Sequence, residues 1–543
     1  MQSFARRAAI GILFCAGAAA GCDGSEPATD ESDFTSANSK LFDFEFDGEL
    51  LAATKDNPAG QIRAQLLYTV GALNAEKSVS RLGKVTLTAV TTAAADGGLF
   101  RIKYHAKLPV AWGKSTLSKT YKLTLPKRVD DAGQAAFLSK YSPACNDGEG
   151  AAINVSNFWF HYRPKAAGCS FAAGDVVTVT ATTKLSPENT TAKLPEYHKI
   201  WEDGALDVVA VFGKYEEGAT TLDDAGVAAY SAFVSALFDR FPGAATTPAK
   251  LPYEVGAANN DITIEVELPD GRAVRIVTLL VDKVATAPAS FVSRFAEVTP
   301  GADLVLYDGH AGLGANVKAL TGMAKFFPKK HQLFFLNGCD TFAYEDDSLV
   351  KARAALNPDD AAGSKYMDVM MNAMPAYFSS MPDASMAVID ALLDGDPDGG
   401  TFATYEQIFK GIDDAQTVVV TGEEDNTFAV PYTPKARWTN LEESGSVGYK
   451  ETKTYVTETL QPGKYVFEMT PELGLPGGDA DLFVKVGSDP QFLAANKCPS
   501  YKYNSNERCI VTIGSAAKVY LGTKGDKNGV VSSYLVRGYQ PVE

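Results

Sequence analysis

The alternation of apolar and polar residues along the chain separates regions of different character. Between about residues 41 and 195, segments such as 84–90 and 176–182 alternate with a period of two, which is typical of half-buried β-strands. Clusters of Gly, Asn and Asp separate these segments, and no helix longer than two turns is evident. The pattern predicts a β-rich domain over residues 41–200, with the class of a β-sandwich.

From about residue 201 the pattern changes to compact apolar runs that alternate with helical segments. Residues 225–241 carry apolar side chains at helical spacing, as expected for an amphipathic helix. The runs that predict strands are 206–212, 262–268, 274–281, 303–307, 332–336 and 368–371. Strands alternating with helices indicate an α/β domain with a parallel-dominated sheet over residues 201–435.

Short strands and turns return near the end of the chain. Segments 464–469 and 480–486 are the clearest of them, and their spacing predicts a small β-sandwich over residues 440–543. The predicted fold class is therefore multidomain, with an N-terminal β-sandwich, a central α/β sheet and a C-terminal β-sandwich.

The N-terminus has the composition of an export signal. Arg6 and Arg7 precede an apolar stretch, residues 8–20, that is too short to span a bilayer. Small residues then lead to Cys22, so that residues 1–22 resemble a bacterial lipoprotein signal with Cys22 as the lipidated residue. An ordinary cleaved secretory signal is the alternative, and either one exports the chain.

The segment that follows, residues 23–40, is polar and acidic and predicts a flexible tether. We therefore expect a protein of the cell envelope, held on the membrane through its N-terminal lipid and facing the periplasm or the surface, or else secreted. The net charge of -16 argues against nucleic acid as a partner, because phosphate binding needs a basic surface.

Seven cysteines add information about the compartment, and two of them lie in the N-terminal signal. An oxidising compartment favours disulfides among the others. The local pairs, each closing a short loop, are Cys145 with Cys169 and Cys498 with Cys509. Cys339 then stays a thiol, for which burial as a small apolar side chain and catalysis are the two explanations.

Two of the predicted strands end in reactive residues. The run 303–307 leads into Asp308-Gly-His310-Ala-Gly, and the run 332–336 leads into Asn337-Gly-Cys339. Because ligands bind beyond the carboxyl ends of parallel strands, adjacent strands would bring His310 and Cys339 together. A thiol beside an imidazole is the minimal activated nucleophile, and the nearby glycines leave backbone N–H groups able to hold an oxyanion.

This arrangement resembles the caspase-like fold of cysteine peptidases, the group that includes legumain, gingipain, clostripain and metacaspase relatives. The resemblance covers roughly residues 201–435. It implies that His310 and Cys339 form the catalytic dyad, and that the backbone N–H groups of Ala311, Gly312 and Cys339 form the oxyanion site.

The C-terminal region resembles the bacterial pre-peptidase C-terminal domain. The residues that carry the likeness are Leu460-Gln-Pro-Gly-Lys-Tyr465, Gly478-Asp-Ala-Asp-Leu-Phe-Val-Lys485, the Cys498 and Cys509 pair and Val536-Arg-Gly-Tyr539. Such domains accompany secreted peptidases and are not catalytic, so the resemblance associates the chain with a protein or peptide substrate by analogy alone.

Two acidic segments are candidates for binding. Asp394, Asp396 and Asp398 match the first half of an EF-hand loop, but Tyr405 stands where the closing Glu is needed, so an acidic solvated turn is the favoured alternative to a Ca²⁺ site. Asp340, Glu345, Asp346 and Asp347 follow Cys339 and suggest a pocket for Arg or Lys before the scissile bond, against which a solvated acidic loop has to be weighed.

The function predicted from the sequence is an exported, lipid-anchored cysteine endopeptidase that uses the His310 and Cys339 dyad and requires no cofactor. The alternative is a catalytically inactive surface lipoprotein that binds polymers or proteins through its β-domains.

Overall fold

More residues lie in strands than in helices in the structure, a computed structural model that describes residues 33–113, 116–147, 152–252, 254–395, 402–413, 416–422, 426, 428, 441–471, 478–488 and 505–540. The protein is multidomain and mixed α/β, with several sheets. The largest sheet has nine strands, and smaller sheets are built from the N-terminal and C-terminal parts of the chain.

The N-terminal part forms an antiparallel six-stranded sheet with helices packed on it. Its strands, with one that joins the central sheet, are β1 (Thr35–Ser36), β2 (Lys40–Ala52), β3 (Ser78–Ser80), β4 (Thr86–Ala94), β5 (Phe100–Trp112), β6 (Thr120–Pro126) and β7 (Val176–Leu185). Its helices are α1 (Pro58–Leu66), α2 (Tyr68–Asn74), α3 (Asp131–Tyr141) and α4 (Phe158–His161). The sheet order is β3-β5-β2-β7-β6, with β4 paired to β5.

Helices, rather than a second sheet, supply the other layer of this region, which differs from the two-sheet sandwich predicted for it. Their apolar residues, Leu66 and Phe137 among them, share one core with Phe44 and Leu108 of the sheet. Local signals for helices are present in the sequence: Asn57 and Asp130 each accept a hydrogen bond from the first turn of the helix that follows. Alanine and glycine fill much of α3, so it lacks the apolar periodicity that would have revealed it.

Strand β1 extends the edge of the central sheet. It pairs antiparallel with residues 419 and 420, and the Ser36 hydroxyl donates to the Val418 carbonyl at 2.7 Å. Phe34 is buried just before it. The predicted tether boundary at residue 40 therefore lies inside a packed segment, because a short edge strand needs few apolar residues to be held by backbone hydrogen bonds.

The central region follows the predicted alternation of strands and helices. Its strands are β8 (Ala205–Gly213), β9 (Ala245–Thr247), β10 (Asp261–Glu267), β11 (Ala273–Val281), β12 (Leu304–Asp308), β13 (Gln332–Asn337), β14 (Met367–Asn372) and β15 (Val418–Gly422). Its helices are α5 (Tyr197–Ile200), α6 (Ala225–Arg240), α7 (Ala289–Val298), α8 (Ala315–Met323), α9 (Thr341–Tyr344), α10 (Ser348–Leu356), α11 (Met381–Asp394) and α12 (Tyr405–Lys410).

The nine strands run in the order β1-β15-β14-β13-β12-β8-β11-β10-β9. Neighbours from β14 to β11 are parallel, and the strands at both edges are antiparallel. Successive residues of the parallel strands enter two different cores, as the period of two requires. One core is shared with the N-terminal region and contains Val209, Val305, Tyr307 and Leu336; the other, beneath α6 and α11, contains Val208, Leu306 and Phe335.

The C-terminal part consists of two small antiparallel sheets around their own core. The strands are β16 (Leu441–Val447), β17 (Thr452–Leu460), β18 (Gly463–Pro471), β19 (Ala480–Val486), β20 (Glu507–Ile513), β21 (Ala517–Gly525) and β22 (Ser532–Tyr539). Arg508 of β20 donates to Glu202 at 2.9 Å, and Arg537 of β22 lies 3.5 Å from Asp207. These contacts attach the C-terminal sheets near the start of β8, at the end of the central sheet opposite to the carboxyl ends of its parallel strands.

Candidate functional site

The two predicted catalytic residues follow neighbouring parallel strands. Strands β12 and β13 are paired in parallel, with Asp308 opposite Asn337. His310 and Cys339 each come two residues after one member of that pair. Both side chains are therefore carried by loops at the same edge of the sheet, where the topology of an open parallel sheet forms its ligand sites.

The two loops touch through their backbones. The Gly309 N–H donates to the Asn337 carbonyl at 3.3 Å. A Cβ atom on Gly338 would lie 2.7 Å from the Gly309 oxygen and 3.2 Å from the Ala311 nitrogen. Only glycine fits at position 338 without separating the loops, which explains why this residue precedes Cys339.

A third loop, which follows β14, contacts both residues. The Cys339 thiol donates to the Ala376 carbonyl at 3.4 Å, and the Phe378 ring meets the His310 ring edge-to-face with centroids 4.9 Å apart. Both His310 and Cys339 are half-buried, and Cys339 is a thiol. Because Ala376 and Phe378 are two residues apart, the contacts bring the imidazole and the thiol against the same short segment.

The imidazole of His310 is held in a fixed orientation. Its ring packs against Tyr215, which follows β8, with centroids 5.0 Å apart, and it also hydrogen-bonds the Tyr215 backbone. Burial lowers the pKa of His310, and the Tyr215 hydrogen bond and the nearby carboxylates of Glu216 and Asp224 only partly offset that effect. The ring is therefore neutral at neutral pH and able to accept a proton.

The backbone of His310 is fixed as well. Its carbonyl accepts a hydrogen bond from the Tyr307 hydroxyl at 2.6 Å and one from the Asn316 side chain at 2.8 Å. The Asn316 side-chain oxygen in turn accepts from the Ala285 N–H at 2.9 Å. Helix α8, which carries Asn316, thus anchors the loop that bears the imidazole.

A buried polar network lies under the two loops. Asn337 donates to Asp308 at 2.7 Å, Ser385 of α11 donates to the other Asp308 oxygen at 2.7 Å, and Asn372 donates to Asn337 at 2.7 Å. Burial raises the pKa of Asp308 to about 7, against the opposing effect of its two hydrogen bonds. The network ties the ends of β12, β13 and β14 to α11.

Strained backbone occurs in both loops. Leu313, three residues after His310, has φ 51°, and Asp340, directly after Cys339, has φ 52°. Residues other than glycine rarely adopt this left-handed conformation, and such strain concentrates at functional sites. Two of the eight such residues in the described part of the chain lie in the loops that carry His310 and Cys339.

The backbone N–H groups of Ala311 and Gly312 belong to the predicted oxyanion site. Within the described part of the chain, neither N–H donates to a protein acceptor. Gly312 has φ 60°, which is a conformation that glycine adopts without cost. The loop after His310 therefore offers backbone donors beside the imidazole, as a tetrahedral oxyanion requires.

The acidic residues after Cys339 form ion pairs instead of an open acidic pocket. Glu345 is buried against Arg81 at 2.7 Å; Asp346 lies 3.3 Å from Lys318 and Asp347 lies 2.9 Å from Lys84. Asp340 is fully buried and accepts a hydrogen bond from Asn74 at 2.9 Å. These carboxylates therefore give no support to the predicted preference for Arg or Lys.

The remaining predicted residues lie elsewhere. Cys145 and Cys169 form a disulfide with Cα atoms 4.9 Å apart, a bond compatible with an extracellular or envelope location. Asp394 pairs with Arg240 at 2.8 Å, and in the described ranges no group of three or more acidic, His or Cys side chains is arranged to hold a metal ion. Four residues of the predicted sites lie outside the described residues: Cys22, Asp396, Asp398 and Cys498. No helix among the described residues is long and apolar enough to cross a membrane.

A cavity of about 390 Å³ lies far from this site, between the central sheet and the C-terminal sheets. Charged side chains such as Asp207, Arg275, Glu468 and Arg537 line it. Arg275 and Arg537 both pair with Asp207, so the charges of the cavity serve the contact between the two regions.

Several residues of the site were not predicted from the sequence. Tyr215, Asn316 and Phe378 touch His310 from three different loops or helices, and Ser385 reaches Asp308 from α11. None of them belongs to a local motif, because only the fold brings them close to the strands. Asp308 is the exception, because its position at the end of an apolar strand is visible in the sequence. A carboxyl group that is buried at such a position has to be paired or neutral.

Comparisons with known proteins add little. No protein-family model matches the chain, and neither does any curated protein. Solved structures with weak likeness to the chain include a family GH115 4-O-methyl-α-glucuronidase with specificity for decorated arabinogalactans and a two-domain esterase active on acetylated mannans. The first is 8% identical over 36% of this chain with a TM-score of 0.16, and the chain spans about a third, 32%, of its length. The second is 10% identical over 65% of this chain and 98% of its own, with a TM-score of 0.17. Such low scores carry no argument about fold or function.

Proposed function

We propose that the protein is a cysteine endopeptidase of the caspase-like type, in which Cys339 is the nucleophile and His310 its proton acceptor and donor. The observation that carries the proposal is the register of β12 and β13, which sets the two residues at equivalent positions on adjacent loops at one edge of the sheet. The shared contacts with the loop after β14 support it further.

In this mechanism the neutral His310 ring takes the thiol proton of Cys339, and the thiolate sulfur attacks the scissile carbonyl carbon. The oxyanion of the tetrahedral intermediate accepts hydrogen bonds from the N–H groups of Ala311, Gly312 and Cys339. When the intermediate collapses, the imidazolium gives its proton to the leaving amine. Water, deprotonated by the same ring, then hydrolyses the thioester and regenerates the thiol.

The direction of the His310 pKa shift fits this role. Since burial lowers that pKa, most of the enzyme holds a neutral imidazole at pH 7, the form that can remove a proton. The packing of the His310 ring against Tyr215 and Phe378 supports a defined orientation of the base, as an orienting group provides in other nucleophile and base pairs. No cofactor takes part in any step of the proposed mechanism.

We further propose that the chain works in the cell envelope, anchored through lipid on Cys22, with the C-terminal sheets acting as a non-catalytic pre-peptidase-type domain. The support is the sequence resemblance at the N-terminus and in residues 440–543, together with the Cys145 and Cys169 disulfide. A protein or peptide is the expected substrate.

The test is covalent labelling with a library of peptidyl acyloxymethyl ketones, followed by peptide mapping. We expect modification at Cys339, none in Cys339→Ala, and a large decrease in His310→Ala. His105→Ala is the matched control, because His105 is a partly exposed imidazole on the N-terminal sheet that pairs with the exposed Asp47. Absence of labelling by every probe, with Cys339 still reactive to iodoacetamide, would favour the non-catalytic binding lipoprotein.

A further inference from the structure

The loop after Cys339 is packed into the N-terminal region. We call residues 340–345 the nucleophile loop; it consists of Asp340, helix α9 and Glu345, and all six residues are buried. The thiol of Cys339 and the ring of His310 contact the loops that follow β14 and β8. The nucleophile loop, by contrast, is held largely by residues of the N-terminal region.

The first contact is a hydrogen bond that holds a strained residue. The Asn74 side chain, at the end of α2, donates to Asp340 Oδ1 at 2.9 Å and to the Ser78 carbonyl at 3.3 Å. Asp340 has φ 52°, and its N–H donates to the Met374 carbonyl at 3.2 Å. Its second oxygen has no hydrogen-bond partner among the described residues. The left-handed turn directly after Cys339 thus depends on Asn74 for one of its restraints.

The second contact is a buried ion pair with aromatic packing around it. Arg81 and Glu345 meet at 2.7 Å with about 4% and 5% of their side chains exposed. The Arg81 guanidinium also lies 5.0 Å from the centre of the Phe342 ring, and Phe34 packs edge-to-face on Phe342 at 5.8 Å. Removing either charge would leave the other buried and unpaired, so the pair requires both regions to stay together.

A third contact closes the end of the loop. Trp159 of α4 packs edge-to-face on Tyr344 with centroids 6.1 Å apart. A Cβ atom on Gly83 would collide with the Glu345 carbonyl, so backbone approaches backbone at this point. Every residue of the nucleophile loop that bears a large side chain is therefore covered by the N-terminal region.

From these contacts we infer that the N-terminal region is a permanent part of the catalytic unit, and that Asn74 is a positioning residue for Cys339. The inference rests on the proposed function. A removable propeptide would cover the thiol or the imidazole and leave the strands intact when cleaved. Here the region supports the loop that carries the nucleophile, and its loss would expose Phe342 and Tyr344 and leave two carboxyl groups without partners.

The charged groups around Asp340 predict how the loop responds to a change at position 74. Asp340 faces Asn74, whose hydrogen bond lowers the pKa of its carboxyl, and Arg163 of the N-terminal region, which acts in the same direction. Burial raises the pKa of the Tyr344 phenol, and the nearby Asp340 and Cys339 act in the same direction. Burial dominates and raises the pKa of Asp340 to about 7. A carboxylate at position 74 would have no N–H to donate to Asp340, so the two buried carboxyl groups would either share one proton or repel each other once both are ionised.

The experiment is a swap of the two side chains in the full chain. The single variant Asn74→Asp places one carboxyl group against another. In the double variant, Asn74→Asp with Asp340→Asn, the side chain at position 340 donates and the side chain at position 74 accepts, which reverses the roles in the parent protein. The readout is the rate at which iodoacetamide alkylates Cys339, followed from pH 6 to 9 by peptide mapping, together with the rate of peptidyl probe labelling. Asn157→Ala, which alters an exposed turn of the same region, is the control.

We expect Asn74→Asp to slow probe labelling at least tenfold and to change the pH profile of alkylation, the double variant to recover most of both, and Asn157→Ala to change neither. Alkylation and labelling that are unchanged in Asn74→Asp would overturn the inference, as would a double variant that recovers nothing while its melting temperature returns to that of the parent protein. If the peptidyl probes do not label the parent protein, the proposed function is refuted. The alkylation profile still decides the role of Asn74 in that case, because alkylation by iodoacetamide needs no peptidase activity.

Discussion

Replacing Asp308 by Asn should make the protein less sensitive to alkaline pH. Asp308 is fully buried, and its pKa rises from 3.8 to about 7 on folding. The folded state therefore binds a proton more tightly than the unfolded state does. The stability contributed by this residue is complete below the unfolded-state pKa and is lost as pH rises through the folded-state pKa.

The magnitude follows from linkage. One pKa unit corresponds to about 1.36 kcal/mol, and integration between pH 5 and pH 8 gives a loss of about 2.5 kcal/mol from Asp308 alone. Asparagine keeps the oxygen that accepts from Asn337, and its amide can donate to the Ser385 hydroxyl. Asp308→Asn should therefore gain about 2.5 kcal/mol relative to the parent protein between these two pH values.

Thermal unfolding at pH 5 and pH 8 measures the difference. For a cooperative unit of the size of the α/β region, 2.5 kcal/mol corresponds to a relative shift of about 5–10 °C in Tm. Asp47→Asn is the matched control, because Asp47 is an exposed carboxylate on β2. Equal pH dependence of Tm in the parent protein and in Asp308→Asn would refute the reasoning, since it would mean that Asp308 is ionised in the folded state throughout this range.

Three further predictions test the site and its setting. Cys339→Ala should abolish turnover, and His310→Ala should lower turnover by about 100- to 10,000-fold, both with little change in Tm. Turnover is measured with a peptide substrate found by probe screening. Full turnover in both variants would exclude the dyad. Gly338→Ala should abolish probe labelling and destabilise the fold by about 1–3 kcal/mol, because its Cβ would collide with Gly309. In the control Gly322→Ala, the new Cβ in α8 meets open space, so this variant should be neutral or stabilising. Denaturation and probe labelling check both variants. Cys22→Ala should release the chain from membranes, which fractionation measures, and retention of the variant with membranes would contradict lipid anchoring there.

The central sheet could be predicted from the sequence because its parallel strands are buried on both faces. Runs such as 206–212 and 332–336 are then almost wholly apolar, and they match β8 and β13 to within one residue. Helix α6 was equally visible, since its apolar face is wide. The N-terminal helices were not visible, because α3 is rich in alanine and glycine and α4 has four residues.

The sequence predicted, for a topological reason, that His310 and Cys339 follow neighbouring parallel strands, but it did not predict their surroundings. Two reactive residues after consecutive apolar runs meet at one edge if the runs are neighbouring parallel strands, which is the usual outcome for strands joined by a helix. Phe378 and Tyr215 reach His310 from loops far apart in sequence. No local pattern marks such partners, so they require the fold.

The acidic run after Cys339 illustrates where composition misleads. In the sequence, Glu345 and its neighbours suggest a surface that attracts a cationic substrate. The structure pairs Glu345 with Arg81, a residue more than 200 positions earlier in the chain. A carboxylate next to a nucleophile can therefore serve the architecture as readily as the substrate, and its role depends on which cation the fold brings to it. If Arg81 already neutralises Glu345, the side chain that determines substrate preference has to be sought among the exposed residues near the dyad. Tyr215 and Tyr377 each expose about half of their side chains on the loops that contact His310 and Cys339. In a test of substrate preference, these two tyrosines and the nearby carboxylates of Glu216 and Asp224 are the side chains to substitute first.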